Sequence, residues 1–396
     1  MSRAHRYFAF ATLYLAQGAI LSFMTALNSI YLLGRGVPLA RVGIISAIGM
    51  IPFVLKIFLG MLSDRINLLG RGHRLPYIVI GLLLQSAGLV VLPSLDPVGQ
   101  FGAYSLLVFL TVAGMALYDT CTDGLALDTT PPDEEGTVQG IMVGGRALGI
   151  IVVSVIIGLV AEHSWPAVFY TLAGITLAAL PLLIGLREPP TPAGRAFHWR
   201  AFAALGRRTV LAVALFGTLN SLVAYGANEL VNPFLQDEFG IGTSIAGLFT
   251  AVWGIGVVLG ALLSGRLADR IGRHIAALVA VVVAAGALLA LSQVQTLHAA
   301  WPAVAFFGLA FGAYETMFFA LAMGVCEPGI NASMYAILMA VSNIGTAIGM
   351  AVAAALADAP VIGYRGAFLV LSASNLIVAA SLPLVFDRRP LKAAHV

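Results

Sequence analysis

Charge is scarce in this chain. Its 396 residues include 21 Lys and Arg and 18 Asp and Glu, so 10% of the chain is charged, against about 25% in a soluble domain. That excludes a cytosolic enzyme, a nucleic-acid binder and a disordered protein, because so few charges cannot cover a water-facing surface. Cysteine is nearly absent, with only Cys121 and Cys326, so no disulfide framework is present. Lysine is rarer than arginine: Lys56 and Lys392 are the only two. The sequence has no His/Cys grouping with metal-ligand spacing, no dinucleotide-binding glycine pattern and no phosphate-binding Walker loop. No metal, cofactor or ATP engine is therefore expected, and no nucleophile–base pair points to an enzyme. Apolar residues are what the sequence does have. They make up 60% of the chain, and the mean hydropathy is +0.97. The expected class is an all-α polytopic membrane protein.

A membrane helix needs about 20 apolar residues. Hydropathy and punctuation place spans near 7–33, 42–63, 75–93, 103–127, 137–161, 166–186, 209–235, 243–265, 275–297, 302–326, 335–357 and 366–386. The first run is too long for a signal-peptide core and is read as a retained span. Twelve spans put both termini on one side. That side carries 16 basic residues, including Arg3, Arg6, Arg65, Arg71 and Arg74, the central-loop arginines, and Arg266, Arg270 and Arg273. The other side carries Arg35, Arg41 and Arg365. The positive-inside rule then makes both termini cytoplasmic, in what is expected to be a bacterial inner membrane. The loop 187–208 divides the chain into an N-terminal six-helix part, 1–186, and a C-terminal six-helix part, 209–396. Its stretch AFHWRAFAALGRR is basic and amphipathic, suited to the headgroup region as well as to a linker.

The two parts repeat each other. Asn28, Gly36 and Gly43 match Asn232, Gly240 and Gly247 at an offset of 204, and Gly60-x3-Asp64-Arg65-Ile66 matches Gly265-x3-Asp269-Arg270-Ile271 at 205. Tyr118-Asp119-Thr120 pairs with Tyr314-Glu315-Thr316. Common order at near-constant offset indicates duplication. The segment Gly265-Arg-Leu-Ala-Asp269-Arg270-Ile-Gly272-Arg273-His274 resembles the signature loop of the major facilitator superfamily, whose members are built from two six-helix halves. The resemblance implies a conformational latch made by Gly60, Asp64 and Arg65 with Gly265, Asp269, Arg270 and Arg273. Glycine permits close helix approach, and an Asp at a helix end can face a neighbouring helix dipole. Glu135 stands where that family commonly has Arg, which removes an expected partner of Asp64.

Ionisable residues at membrane depth cost roughly 2.5–3.5 kcal/mol on insertion scales. Lys56, Asp119, Asp123 and Arg146 form such a set. Asp119 and Asp123 share a helix face, and Asp119/Arg146 and Asp123/Lys56 are the pairs to test. The set reads either as a neutral packing network or as a place where Lys56 or Arg146 attracts an anion, and Asp119 and Asp123 are also candidate proton-coupling groups. Glu229 and Glu315 have no basic partner expected within any nearby span. Burial without a cation favours the neutral carboxyl, so Glu315 reads as a proton carrier or as a protonated structural residue beside Tyr314. Glu229 reads as a gate, a substrate contact or a second coupling group. The resemblance implies a cavity lined by spans 1, 4, 7 and 10, and hence substrate contacts from Gln17, Asn28, Lys56, Arg146, Asn220, Tyr225, Asn228, Asn232 and Tyr314. Trp253 and Asn343 join them from spans 8 and 11. Each could equally be helix–helix packing.

Four stretches are similar to the muropeptide-permease and acetyl-CoA-transporter branch. They are Lys56 eight residues before Asp64, Asp119-x3-Asp123-Gly124 with Pro131-Pro132-Asp133-Glu134, Gly145-Arg146-Ala-Leu148-Gly149, and Ala332-Ser333-Met334-Tyr335. The expected function is secondary active transport of a small polar or anionic organic solute by alternating access, as proton symport. Efflux of amphiphilic compounds by proton antiport, and a non-transporting pigment-delivery or assembly factor, are the alternatives. Helix 5 lacks the Gly-Pro motif common in drug exporters of this fold. The expected partners are a small-molecule solute, protons and membrane lipid, with no nucleic acid and with the monomer as the working unit.

Overall fold

The computed structural model describes residues 3–24, 28–70, 72–153, 160, 164–189, 199–327 and 329–386. Among the described residues thirteen α-helices carry the architecture: α1 (Arg3–Ser22), α2 (Asn28–Gly34), α3 (Leu39–Arg65), α4 (Leu75–Val91), α5 (Phe101–Thr129), α6 (Glu135–Val152), α7 (Trp165–Leu177), α8 (Arg208–Phe239), α9 (Thr243–Ile271), α10 (Arg273–Ser292), α11 (Leu297–Gly324), α12 (Asn331–Asp358) and α13 (Gly363–Phe386). Ten helices among the described residues are long and apolar enough to cross a membrane. The first expected span corresponds to α1 and α2, with residues 25–27 outside the described residues. The fifth corresponds to α6, and most of its far end, 154–159 and 161, likewise lies outside them. Of the central loop, 190–198 is not described, and Trp199–Gly206 is a short 3-10 helix with Trp199 exposed.

Chain turns follow local chemistry. Gly36 and Gly240, matched in the repeat, both adopt positive φ, 78° and 64°. Gly240 caps α8 in the left-handed conformation, which a side chain would strain.

The bundle packs through small residues. In α6, Gly145 and Gly149 face α1, where an added Cβ would lie 2.5 Å from the Ala11 carbonyl oxygen and 2.1 Å from that of Leu15. On its other side Gly140 faces α9, where a Cβ would lie 2.4 Å from the Ala261 oxygen. From α9, a Cβ on Gly265 would lie 2.3 Å from the Gly136 oxygen. Backbone contact of this kind is how membrane helices associate without a hydrophobic driving force between them. Helix α6 is thus wedged between α1 and α9, and α3 packs on α12. These contacts join helices from before the central loop to helices after it, and they frame the site.

Candidate functional site

The charged residues lie in two layers. One layer is at the basic end of the bundle, where α3 ends and α12 begins. Asp64 accepts from the first-turn amides of Ala332 (3.3 Å) and Ser333 (2.8 Å) and from the Ser333 hydroxyl (2.5 Å). Asp269, its repeat mate, accepts from the first-turn amides of Gly136 (2.9 Å) and Thr137 (2.7 Å) in α6. Each carboxylate therefore satisfies the orphan N–H groups of a helix in the other part of the chain, where the dipole favours negative charge. Gly60 is needed at the same crossing, since a Cβ there would lie 2.9 Å from the Ala332 oxygen.

The partner expected to be missing for Asp64 is supplied by Arg74, at 2.6 Å. Arg74 also binds Asp128 (2.8 Å) and the Ser63 hydroxyl (2.8 Å). Burial works to lower the Arg74 pKa, but the carboxylates of Asp64 and Asp128 outweigh it, so the guanidinium is held above its usual range. Asp128 in turn accepts from the Asn331 carboxamide at 2.7 Å, another contact across the chain's two parts. Glu135 does not oppose the latch: it pairs with Arg273 at 2.6 Å. Arg65 and Arg270 are exposed.

The second layer is at membrane depth. Here the structure corrects the expected pairing. Lys56 binds Asp119, not Asp123. Asp123 accepts from the Tyr14 hydroxyl of α1. Arg146 reaches out of α6 to Glu315 in α11, so Glu315 does have a basic partner. The expectation of no basic partner failed because sequence does not say which helices touch, and the α6–α11 contact brings Arg146 from the other part of the chain. Tyr225 of α8 donates to Glu315 at 2.6 Å, and the Arg146 guanidinium lies 5.6 Å from the Phe319 ring centroid. Tyr314 does not serve Glu315; it donates to Asn375 at 2.8 Å.

Glu229 is exposed, so the burial argument for it as a proton carrier does not apply. Asn232 is exposed and donates to Thr250 at 3.2 Å; Asn343 is also exposed. Asn220 donates to the Tyr314 carbonyl at 3.1 Å, a packing bond. Gln17 and Asn28 are buried, and the Gln17 side-chain oxygen has no partner. Asn228, Asn232, Phe249, Thr250 and Trp253 line a small cavity of about 70 Å³, with the Trp253 indole N–H unpartnered. It has room for a few waters.

Tyr14, Asp128 and Asn331 were not singled out in the sequence, and Arg74 and Ser333 were named there without a site role. Arg74 carried a weak signal, since it follows the first copy of the motif as Arg273 does the second. Tyr14 carried none, because an aromatic residue in an apolar helix reads as packing.

The fold is that of transport proteins. The Major Facilitator Superfamily pattern matches residues 6–336 and 218–395, and the chain belongs to that family. It is 24% identical over 345 residues to the anhydromuropeptide permease of Escherichia coli K12, covering 84% of this chain and 68% of the permease. The human organic anion transporter superimposes with a TM-score of 0.75 at 14% identity, over 96% of this chain and 100% of the other. The Escherichia coli fucose:proton symporter does so with 0.71 at 14%, over 96% and 98%. The protein is an integral membrane secondary transporter, not an enzyme.

Proposed function

We propose that the protein moves a small organic anion with a proton, by alternating access between its N-terminal and C-terminal six-helix parts, with the basic end of the bundle facing the cytoplasm. The observation that carries this reading is the Arg146–Glu315 pair, completed by Tyr225. It joins α6 to α11, two helices on opposite sides of the central loop. At membrane depth a lone guanidinium is costly, so Arg146 exchanges one anion for another. A solute carboxylate or phosphate can take Arg146 only if Glu315 gives it up, and Glu315 can stay buried without its cation only by accepting a proton. Solute and proton are thereby bound together. The relatives named above support the class of cargo in a general way, one being a permease and one an organic anion transporter. Gln17, Asn28, Asn228, Asn232 and Trp253 supply uncharged polar contacts to the rest of the solute in this reading. Asp64, Asp128 and Asp269 lock the cytoplasmic face until the solute-loaded form releases it.

The test is internal pH in proteoliposomes while sugars, aminosugar peptides, organic anions and cationic drugs are added outside. An organic anion should acidify the lumen in wild type and not in Glu315→Gln. Alkalinisation on adding a cation would replace this reading with antiport.

A further inference from the structure

The bonded contacts at membrane depth divide into two groups. One is Arg146 with Glu315 and Tyr225, formally neutral. The other is Lys56 with Asp119 and Asp123, bonded through Tyr14 to α1. It holds one cation and two carboxylates. All three lie within the bundle: the Asp119 and Asp123 residues are 1% and 5% exposed, and the Lys56 side chain 15%. An uncompensated buried charge is the arrangement a protein avoids most strongly. The structure also shows where compensation is needed. Lys56 is committed to Asp119 Oδ2, while Asp119 Oδ1 is buried with no donor among the described residues. A buried acceptor without a donor costs about 1–3 kcal/mol. Asp123 is one helical turn from Asp119 on the same face, and its one bonded partner among the described residues, the Tyr14 hydroxyl, is neutral.

We propose that this cluster holds a resident proton on Asp123, shared toward Asp119 Oδ1, when no solute is bound. The proton cancels the excess charge and supplies the missing donor in one step. The charged groups acting on Asp123 are Lys56, Asp119 and Arg146, and the other ionisable groups near it are Tyr14, Tyr335 and Cys326. None of the last three offers a second cation. The inference concerns the empty protein and does not rest on Glu315 being the coupling group.

Infrared spectroscopy of the purified protein in lipid nanodiscs at neutral pH tests it. A buried protonated carboxyl absorbs apart from carboxylates. The expected result is one such band that shifts when every aspartate carries ¹³C in its carboxyl group. Charge-conserving variants locate it: Asp123→Glu should remove the label-dependent shift, and Asp119→Glu should retain it. Lys56→Gln should about double the band area, because both aspartates must then be neutral. No band in wild type would overturn the proposal. So would a band blind to the aspartate label, which would place the proton on a glutamate such as Glu315. A band that keeps its shift in Asp123→Glu would do the same, placing it on Asp119. If Asp123→Glu does not fold, the label in wild type and the Lys56→Gln area still decide. Solute-driven acidification is a separate readout, so the coupling reading can fail while this one holds.

Discussion

At the scale of single residues, the membrane-depth charges make sense only as partners. Breaking a buried pair by removing one member costs about 3–5 kcal/mol, while replacing both with apolar groups of similar size is near neutral. Lys56→Met alone should therefore lower thermal stability or yield of folded protein sharply. Lys56→Met with Asp119→Leu should recover most of it, as thermal unfolding in detergent would show. The alternative pairing, Asp123 with Lys56, requires the rescue to come from Asp123→Leu instead. How far this layer was legible in the sequence depends on the residue. That Lys56, Asp119, Asp123, Arg146 and Glu315 are special followed from the cost of charge in hydrocarbon. Who pairs with whom did not, because a side chain's partner is set by which helices touch, and hydropathy says nothing of that. Glu315 is the clear case: its cation comes from α6, in the other part of the chain.

At the scale of elements, two helix N-termini are held by aspartates from across the bundle. The repeat announced the aspartates, and the helix dipole announced what they could bind. What remained hidden was Arg74 with Asp128 and Asn331, since Arg74 stands ten residues after Asp64 whereas Arg273 stands four after Asp269, which takes the two arginines out of register. The two locks are unequal. Asp64 receives three hydrogen bonds across the interface and an ion pair, whereas Asp269 receives two amides. Asp64→Asn should therefore open the basic end of the bundle more than Asp269→Asn. Each loses a charge–dipole interaction of up to about 2 kcal/mol in a partly buried setting, which shifts a two-state equilibrium up to about thirtyfold. Spin labels placed on the exposed residues Arg65 and Arg270 would report the change as a longer distance population. Equal effects of the two variants would mean that the Arg74 network adds nothing. Gly265→Ala belongs at the same scale. With 2.3 Å to the Gly136 oxygen, a methyl forces α6 and α9 apart, so it should favour opening of the basic end of the bundle without altering any charge.

At the scale of the whole molecule, the proposed proton-coupled cycle, if Arg146 and Glu315 form its site, fixes by charge balance what each turn carries. Before solute binds, the guanidinium and carboxylate cancel. A monoanionic solute adds one negative charge at a depth where charge is expensive. Neutrality is restored when Glu315 takes one proton, so one proton enters with one monoanion and the loaded carrier moves no net charge. A membrane potential of 100 mV acts on each translocated charge with about 2.3 kcal/mol, about fiftyfold in accumulation. Uptake of a monoanion into proteoliposomes should therefore follow an imposed pH gradient and ignore a potassium-diffusion potential. A resident proton on Asp123 leaves this balance unchanged provided that it stays in place when solute binds. If uptake instead rises many-fold with a negative-inside potential at zero pH gradient, more than one proton travels with each anion. The second would then come from the Lys56–Asp119–Asp123 cluster, and Asp123→Asn would have to abolish the potential dependence while leaving uptake driven by the pH gradient.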